Sequence, residues 1–175
     1  MVLVLASGRG ERFVASGGRG SKLDAPLGGL TVLDHTIAAV IASGLPLHVE
    51  DGGHPGMGDS IAAAVRATPD ASGWLVLPGD LPLVAPESLR AVADALQHAS
   101  VVLPFHDGVR GHPVGFGREH FEALQALTGP EGAAEIVRAA HPLKLALDDE
   151  GIVTDIDTLA DLARAEALLS ARRSG

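Results

Sequence analysis

Short continuous runs of aliphatic residues recur along this 175-residue chain, and stretches of helical period stand between them. No other feature constrains the fold as much. Val2 to Ala6, Trp74 to Leu77 and Val101 to Pro104 are apolar without alternation, the pattern of strands covered on both faces. Pro46 to Val49 and His112 to Phe116 read as further strands. Between them the spacing predicts helices from Asp34, as N-cap, to Ala42, with Gly44 as the stop, and from Ser60 to Ala67. Pro86 opens a helix that runs to about His98. Glu119 to Leu127 and Glu131 to Ala140 are helical, and Leu159 to about Arg172 forms a last amphipathic helix. Leu143 to Leu147 and Ile152 to Ile156 alternate well enough for a strand pair around Asp148-Asp-Glu-Gly151. Strands separated by helices imply an α/β sandwich with a mainly parallel sheet, and the length suits one domain over residues 1–175.

Charge and residue usage exclude several functions. Twenty-two acidic residues against thirteen basic ones give a net charge of −9, too acidic for a nucleic-acid-binding face. The chain has no cysteine, so thiolate metal sites, disulfides and cysteine nucleophiles are out. The opening run lacks a basic leader and is too short for a signal peptide, and the longest later apolar stretch is broken by Ser43, Gly44 and Pro46. The expectation is a soluble cytoplasmic protein with no membrane partner. His48 and His54, or His106 and His112, have no spacing that sets two ligands on one helical face, so they read as surface or loop residues.

Three segments carry chemistry. The loop after the first strand, Ala6-Ser-Gly-Arg-Gly-Glu-Arg-Phe13 through Gly20-Ser-Lys22, gathers Arg9, Arg12, Arg19 and Lys22 with only Glu11 to offset them. It is neither a dinucleotide fingerprint nor a Walker A loop. Glycine-freed amides and concentrated cations at the carboxyl end of a strand instead suit a polyphosphate. Leu77-Pro-Gly-Asp80 then sets a carboxylate straight after a buried strand, a hard ligand suited to Mg²⁺. Asp155 and Asp157, two residues apart, point to one side of a strand end, so one of them can supply a second ligand. An ordinary cap before the last helix would explain Asp157 equally well. No Gly-x-Ser-x-Gly elbow marks Ser7 or Ser60 as a hydrolase nucleophile.

In order along the chain stand Leu5-Ala-Ser-Gly-x-Gly-x-Arg-Phe13, Lys22-Leu, Gly56-Met-Gly-Asp-Ser60, Gly79-Asp80-Leu-Pro-Leu-Val84, Arg110-Gly-His-Pro113, Gly129-Pro-Glu-Gly132 and Asp155-Ile-Asp-Thr-x-x-Asp-Leu162. This series resembles the MobA-like NTP-transferase family, and within it the molybdenum cofactor cytidylyltransferase branch. The resemblance runs from Leu3 to about Leu168. It implies a Rossmann-like three-layer α/β/α sandwich of the nucleotide-diphospho-sugar transferase type and a Mg²⁺-dependent transfer of NMP from an NTP to a phosphorylated acceptor, with release of pyrophosphate. It further implies a molybdopterin-type acceptor and, beyond it, a molybdoenzyme or its maturation factor as partner.

Carried over residue by residue, Leu5, Ala6, Ser7, Gly8, Arg9, Gly10 and Lys22 would bind the nucleotide. Arg12 and Lys22 would lie on its phosphates and, with Asp80, form the catalytic set. Gly58 and Ser60 would contact base or ribose, Asp80 and Asp157 would hold Mg²⁺, and Arg110 and His112 would face the acceptor. Val14 stands where the family loop carries glycine, and Gly58-Asp59 stands where this branch carries serines. An acidic Asp59 would repel phosphate unless it faces base or sugar. Ser7 is nearer alanine than glycine in bulk, which favours the smaller pyrimidine, hence CTP over GTP or ATP. Two other readings stay open: a sugar- or alditol-phosphate nucleotidyltransferase, whose chains usually run longer, and a non-catalytic nucleotide-binding accessory protein for molybdoenzyme maturation.

Overall fold

The structure is a computed structural model that describes residues 1–8 and 10–174, with the side chains of residues 173 and 174 excepted. Nine strands are described: β1 (Val2–Leu5), β2 (Pro26–Leu27), β3 (Leu30–Thr31), β4 (Leu47–Glu50), β5 (Gly73–Pro78), β6 (Val101–His106), β7 (Val109–Arg110), β8 (Val114–Gly117) and β9 (Leu143–Ala146). Seven helices accompany them: α1 (Glu11–Ala15), α2 (Val32–Ser43), α3 (Met57–Ala67), α4 (Pro86–Ala95), α5 (Phe121–Gln125), α6 (Ala134–Ala139) and α7 (Leu159–Ser174). The main sheet has seven strands in the order β4-β1-β5-β8-β6-β7, with β9 on the other side of β6. β4, β1 and β5 run parallel, as do β6 and β9, while β8 is antiparallel to both its neighbours.

Strand alternation divides the core between two faces. Leu3, Leu5, Trp74 and Val76 pack with Ile61 and Val65 of α3, Leu124 of α5 and Val137 of α6. Val2, Val4, Leu75 and Leu77 pack on the opposite face with Val40 of α2 and with Leu89 and Val92 of α4. Trp74 is fully buried and its indole N–H donates to Thr68 Oγ1 at 3.0 Å, so its polar edge is satisfied. A third cluster, built from Phe13, Leu23, Leu27, Leu83, Ile156 and Ala165, seats the first loop against α7. The expected three-layer arrangement is thus present. Among the described residues no helix is long and apolar enough to cross a membrane.

Several boundaries differ from expectation for local reasons. Asp34 is not the cap of α2. Thr31 is, and the Thr31 hydroxyl and Asp34 carboxylate exchange bonds with each other's backbone N–H groups. α3 starts one turn earlier, at Met57 rather than Ser60, and α5 and α6 are shorter than the spacing suggested. Residues 152–156 form no strand: Glu150–Val153 is a 3₁₀ turn whose cap, Asp149, accepts from the Gly151 N–H at 2.9 Å. β9 has therefore no partner there and pairs in parallel with β6.

The connections place the cleft. After β1 the chain reaches α2 on one face, whereas after β4 it enters α3 on the other. Adjacent parallel strands whose following helices leave on opposite faces open a crevice at their carboxyl ends, where ligands bind in open α/β sheets.

Candidate active site

A cleft of about 660 Å³ lies over the carboxyl ends of β1 and β5. Leu5, Ser7, Gly8, Arg12, Lys22, Ser60, Asp80, Arg110, His112, Asp155 and Asp157 all line it, so most of the expected residues meet in one place. The backbone explains the meeting. The Gly79 amide bonds to the Leu5 carbonyl at 2.9 Å and the Ile156 amide to the Asp80 carbonyl at 3.0 Å. That second bond seats Asp155 and Asp157 beside Asp80 without any strand. Asp157 is not a helix cap either: Thr158 and Asp161 exchange bonds at the start of α7, and Asp157 stays in the cleft.

Lys22, itself buried, is the hub of the charged end. Its Nζ lies 2.6 Å from Asp80 Oδ2 and 2.8 Å from Asp157 Oδ1, and Arg12 reaches Asp157 Oδ2 at 2.6 Å. Burial works against the ammonium, but the Asp80 and Asp157 carboxylates outweigh it and hold the Lys22 pKa above its ordinary value. Asp155 stands at the mouth with its pKa raised, first by partial burial and then by the negative charges of Asp80 and Asp157. Lys22 and Arg12 thus occupy one Asp80 oxygen and both Asp157 oxygens, while Asp155 has no ion-pair partner among the described residues. Asp80 Oδ1 is buried and has no hydrogen-bond partner. A buried carboxylate oxygen kept short of donors fits a divalent cation, with Asp80 and Asp157 as the carboxylates beside it, although among the described residues no three His, Cys, Asp or Glu side chains come together as a ready-made metal cluster.

Serines and an imidazole make up the other end. Ser60 Oγ lies 3.2 Å from Ser7 Oγ, and the Ser7 hydroxyl donates to the Glu50 carbonyl at 3.3 Å. His54 packs at the same wall with its Nε2 3.0 Å from Glu50 Oε1. Towards the third side, burial and the Arg110 charge hold the His112 pKa below its usual value, so at neutral pH it offers hydrogen bonds rather than charge. His112 Nδ1 has no partner.

Some expected residues play other parts. Ala6 and Gly10 do not line the cleft, and Arg9 lies outside the described residues. Gly10 has φ 61° as the N-cap of α1, a conformation glycine adopts without strain. Gly58 lies outside the lining: its amide donates to the Gly129 carbonyl, and a Cβ there would come within 2.7 Å of the Thr128 carbonyl oxygen. Asp59 accepts from the Gly129 amide at 2.9 Å. Its carboxylate therefore fastens the Gly129-Pro130 turn at the rim. His54 and Glu50 are not readable as a pair from the sequence, because Glu50 ends β4 and His54 lies in the loop after it, where no regular spacing signals a contact. Asp155 was visible through its two-residue spacing from Asp157.

Residues 38–145 match the family model described as the MobA-like NTP transferase domain. The bifunctional protein GlmU of Coxiella burnetii is 28% identical over 181 residues, which cover 87% of this chain and 37% of that protein. This chain thus spans little more than a third of that relative. The Rv0371c structure from Mycobacterium tuberculosis superposes with a TM-score of 0.81 at 26% identity, over 95% of this chain and 96% of that one. The same protein in complex with manganese gives a TM-score of 0.74 at 23% identity, over 95% and 96% of the two chains. The molybdopterin-guanine dinucleotide biosynthesis protein A of Archaeoglobus fulgidus gives 0.70 at 18% identity, over 97% of this chain and 98% of that one. This chain belongs to the MobA-like NTP transferase family and has its nucleotidyltransferase fold.

Proposed function

We propose that this protein transfers a nucleoside monophosphate from CTP, in preference to GTP or ATP, to the phosphate of a molybdopterin-type acceptor and releases pyrophosphate. The observation that carries the reading is the charged cluster of Lys22, Arg12, Asp80, Asp155 and Asp157 at the carboxyl ends of β1 and β5. It pairs polyphosphate-binding cations with carboxylates suited to a cation, within one cleft. The acceptor is argued from the likeness to the Archaeoglobus protein, and the base from the bulk of Ser7.

In this reading an acceptor phosphate oxygen attacks the α-phosphorus in line. The bond from that phosphorus to the oxygen bridging it to the β-phosphate breaks, and the electron pair leaves with pyrophosphate. Asp80 and Asp157 would hold a Mg²⁺, which when bound would supply screening of the two anions and of the charge on the leaving group. Manganese in the complex of the mycobacterial relative supports a divalent ion in this fold. Lys22 and Arg12 turn from the carboxylates to the triphosphate, Lys22 as a point charge and Arg12 as a two-pronged fork. Arg110 supplies charge to the acceptor and the neutral His112 a hydrogen bond. No covalent intermediate on the protein is needed. Such a protein works in the cytoplasm, beside a molybdoenzyme or the factor that matures it.

Pyrophosphate release from CTP, GTP and ATP, each with Mg²⁺ and with molybdopterin or a sugar phosphate as acceptor, tests the reading. We expect release with CTP and molybdopterin. Release only with a sugar phosphate would overturn the acceptor. Nucleotide binding with no release from any pair would make the protein a non-catalytic accessory.

A further inference from the structure

The cleft wall between β1 and β4 holds a side chain to which neither the family motifs nor the mechanism gives a role. His54 lies there beside Ser7, Gly8 and Gly56, at the end away from Lys22 and the three carboxylates. A triphosphate seated on the basic residues leaves its nucleoside to this end. The imidazole is held in one tautomer by what it touches. Glu50 Oε1 lies 3.0 Å from His54 Nε2 and Glu50 Oε2 lies 3.5 Å from His48 Nε2, while the Gly52 amide donates to Oε1 at 3.0 Å. Burial opposes the Glu50 charge, but the Gly52 amide and the two histidines outweigh it, so its pKa lies below the ordinary value. An ionised carboxylate only accepts, so Nε2 of His54 carries the proton. In the neutral ring Nδ1 is then a lone-pair acceptor, and among the described residues it has no hydrogen bond.

We propose that His54 is a specificity-determining residue whose Nδ1 accepts a hydrogen bond from the exocyclic amino group of the base. This inference rests on the nucleotidyltransferase reading and deepens it. Cytosine carries an amino group at C4, where uracil, the same size, carries a carbonyl oxygen. An acceptor facing that position attracts the first and repels the second, so Ser7 selects for size and His54 selects the amino-bearing pyrimidine. Glu50 acts through His54 and is a positioning residue: Glu50→Gln offers the ring an amide that can donate, which frees the tautomer.

The test measures binding of three ligands with Mg²⁺, in calorimetry without acceptor: CTP, UTP and inorganic tripolyphosphate. Wild type should bind CTP roughly tenfold more tightly than UTP, the size of one net hydrogen bond. In His54→Phe, which keeps a flat ring and loses the acceptor, that ratio should fall to about one, with tripolyphosphate affinity unchanged as proof of a folded phosphate site. Glu50→Gln should give an intermediate ratio. Two outcomes would overturn the assignment: an unchanged ratio in His54→Phe, or tripolyphosphate binding weakened as much as CTP binding. Failure of the underlying reading looks different, because wild type would then bind neither triphosphate nor tripolyphosphate.

Discussion

Asp149 and Asp80 are both carboxylates at the edge of the same core, and the protein treats them in opposite ways. Asp149 is buried, and its Oδ2 accepts from the Ala85 amide at 2.9 Å and the Ser88 hydroxyl at 2.7 Å. Its Oδ1 takes the Gly151 amide at 2.9 Å, with Arg172 at 3.5 Å. Both oxygens are satisfied from within, and they bind the start of α4 to the turn before α7. Asp80 has one oxygen on Lys22 and the other on nothing. A buried polar atom left unpaired costs about 1–3 kcal/mol, so a fold that keeps one keeps it for something that arrives from outside. Asp59 resembles Asp149, with its donor supplied by Gly129, and Asp155 stands between the two kinds.

The largest effect should come from Asp80→Ala. Turnover should fall about 10²–10³-fold or more, the range for losing one preorganised electrostatic partner of the transition state, while the variant stays folded. Near-normal Mg²⁺-dependent turnover would put Asp80 with the structural carboxylates. Asp149→Ala should do the reverse. It should cost about 2–4 kcal/mol in urea unfolding, because several buried donors lose their acceptor, and leave the KM for NTP close to wild type. Equal stability of the two proteins would contradict that role.

Asp59→Ala removes a single bond to the Gly129 amide and should cost about 1 kcal/mol, again with no gain in affinity for phosphate. Tighter tripolyphosphate binding in this variant would show that Asp59 does face the phosphates. Asp155→Asn should have the smallest effect. Its folded-state pKa is raised above 3.8, so ionising it costs the free protein stability once the pH passes that ordinary value, and the cost is full above the raised one. The Asn variant should therefore melt about 1–3 °C higher at pH 7 and the same as wild type near pH 3. An equal gain at both pH values would mean that charge is not the cause.

Much of this was legible in the sequence, and the reasons are specific. β1 and β5 showed themselves because a strand covered on both faces needs apolar residues without alternation. The segment 152–156 alternated like a strand but is a 3₁₀ turn and an irregular stretch, since Asp149 captures the Gly151 amide, a side-chain event that periodicity does not report. Asp155 and Asp157 still reached the cleft, carried there by one backbone bond from Ile156 to Asp80. Gly58 sat in a family motif and proved to be a packing residue under the 128–129 turn. Glu50 and His54 were invisible, because their meeting depends on how the loop after β4 folds back and on no regular spacing.

The central claim is that the short-handed Asp80 carboxylate waits for a cation that arrives with nucleotide. Titration of Mn²⁺ in the presence of a non-hydrolysable CTP analogue, followed by the loss of the free-ion electron paramagnetic signal, tests it most directly. Wild type should sequester Mn²⁺ with the analogue far more tightly than either the analogue alone or the protein alone, where Lys22 already sits on Asp80 and Asp157. Folded Asp80→Ala should lose that gain. A ternary complex that forms as tightly in Asp80→Ala as in wild type would contradict the account.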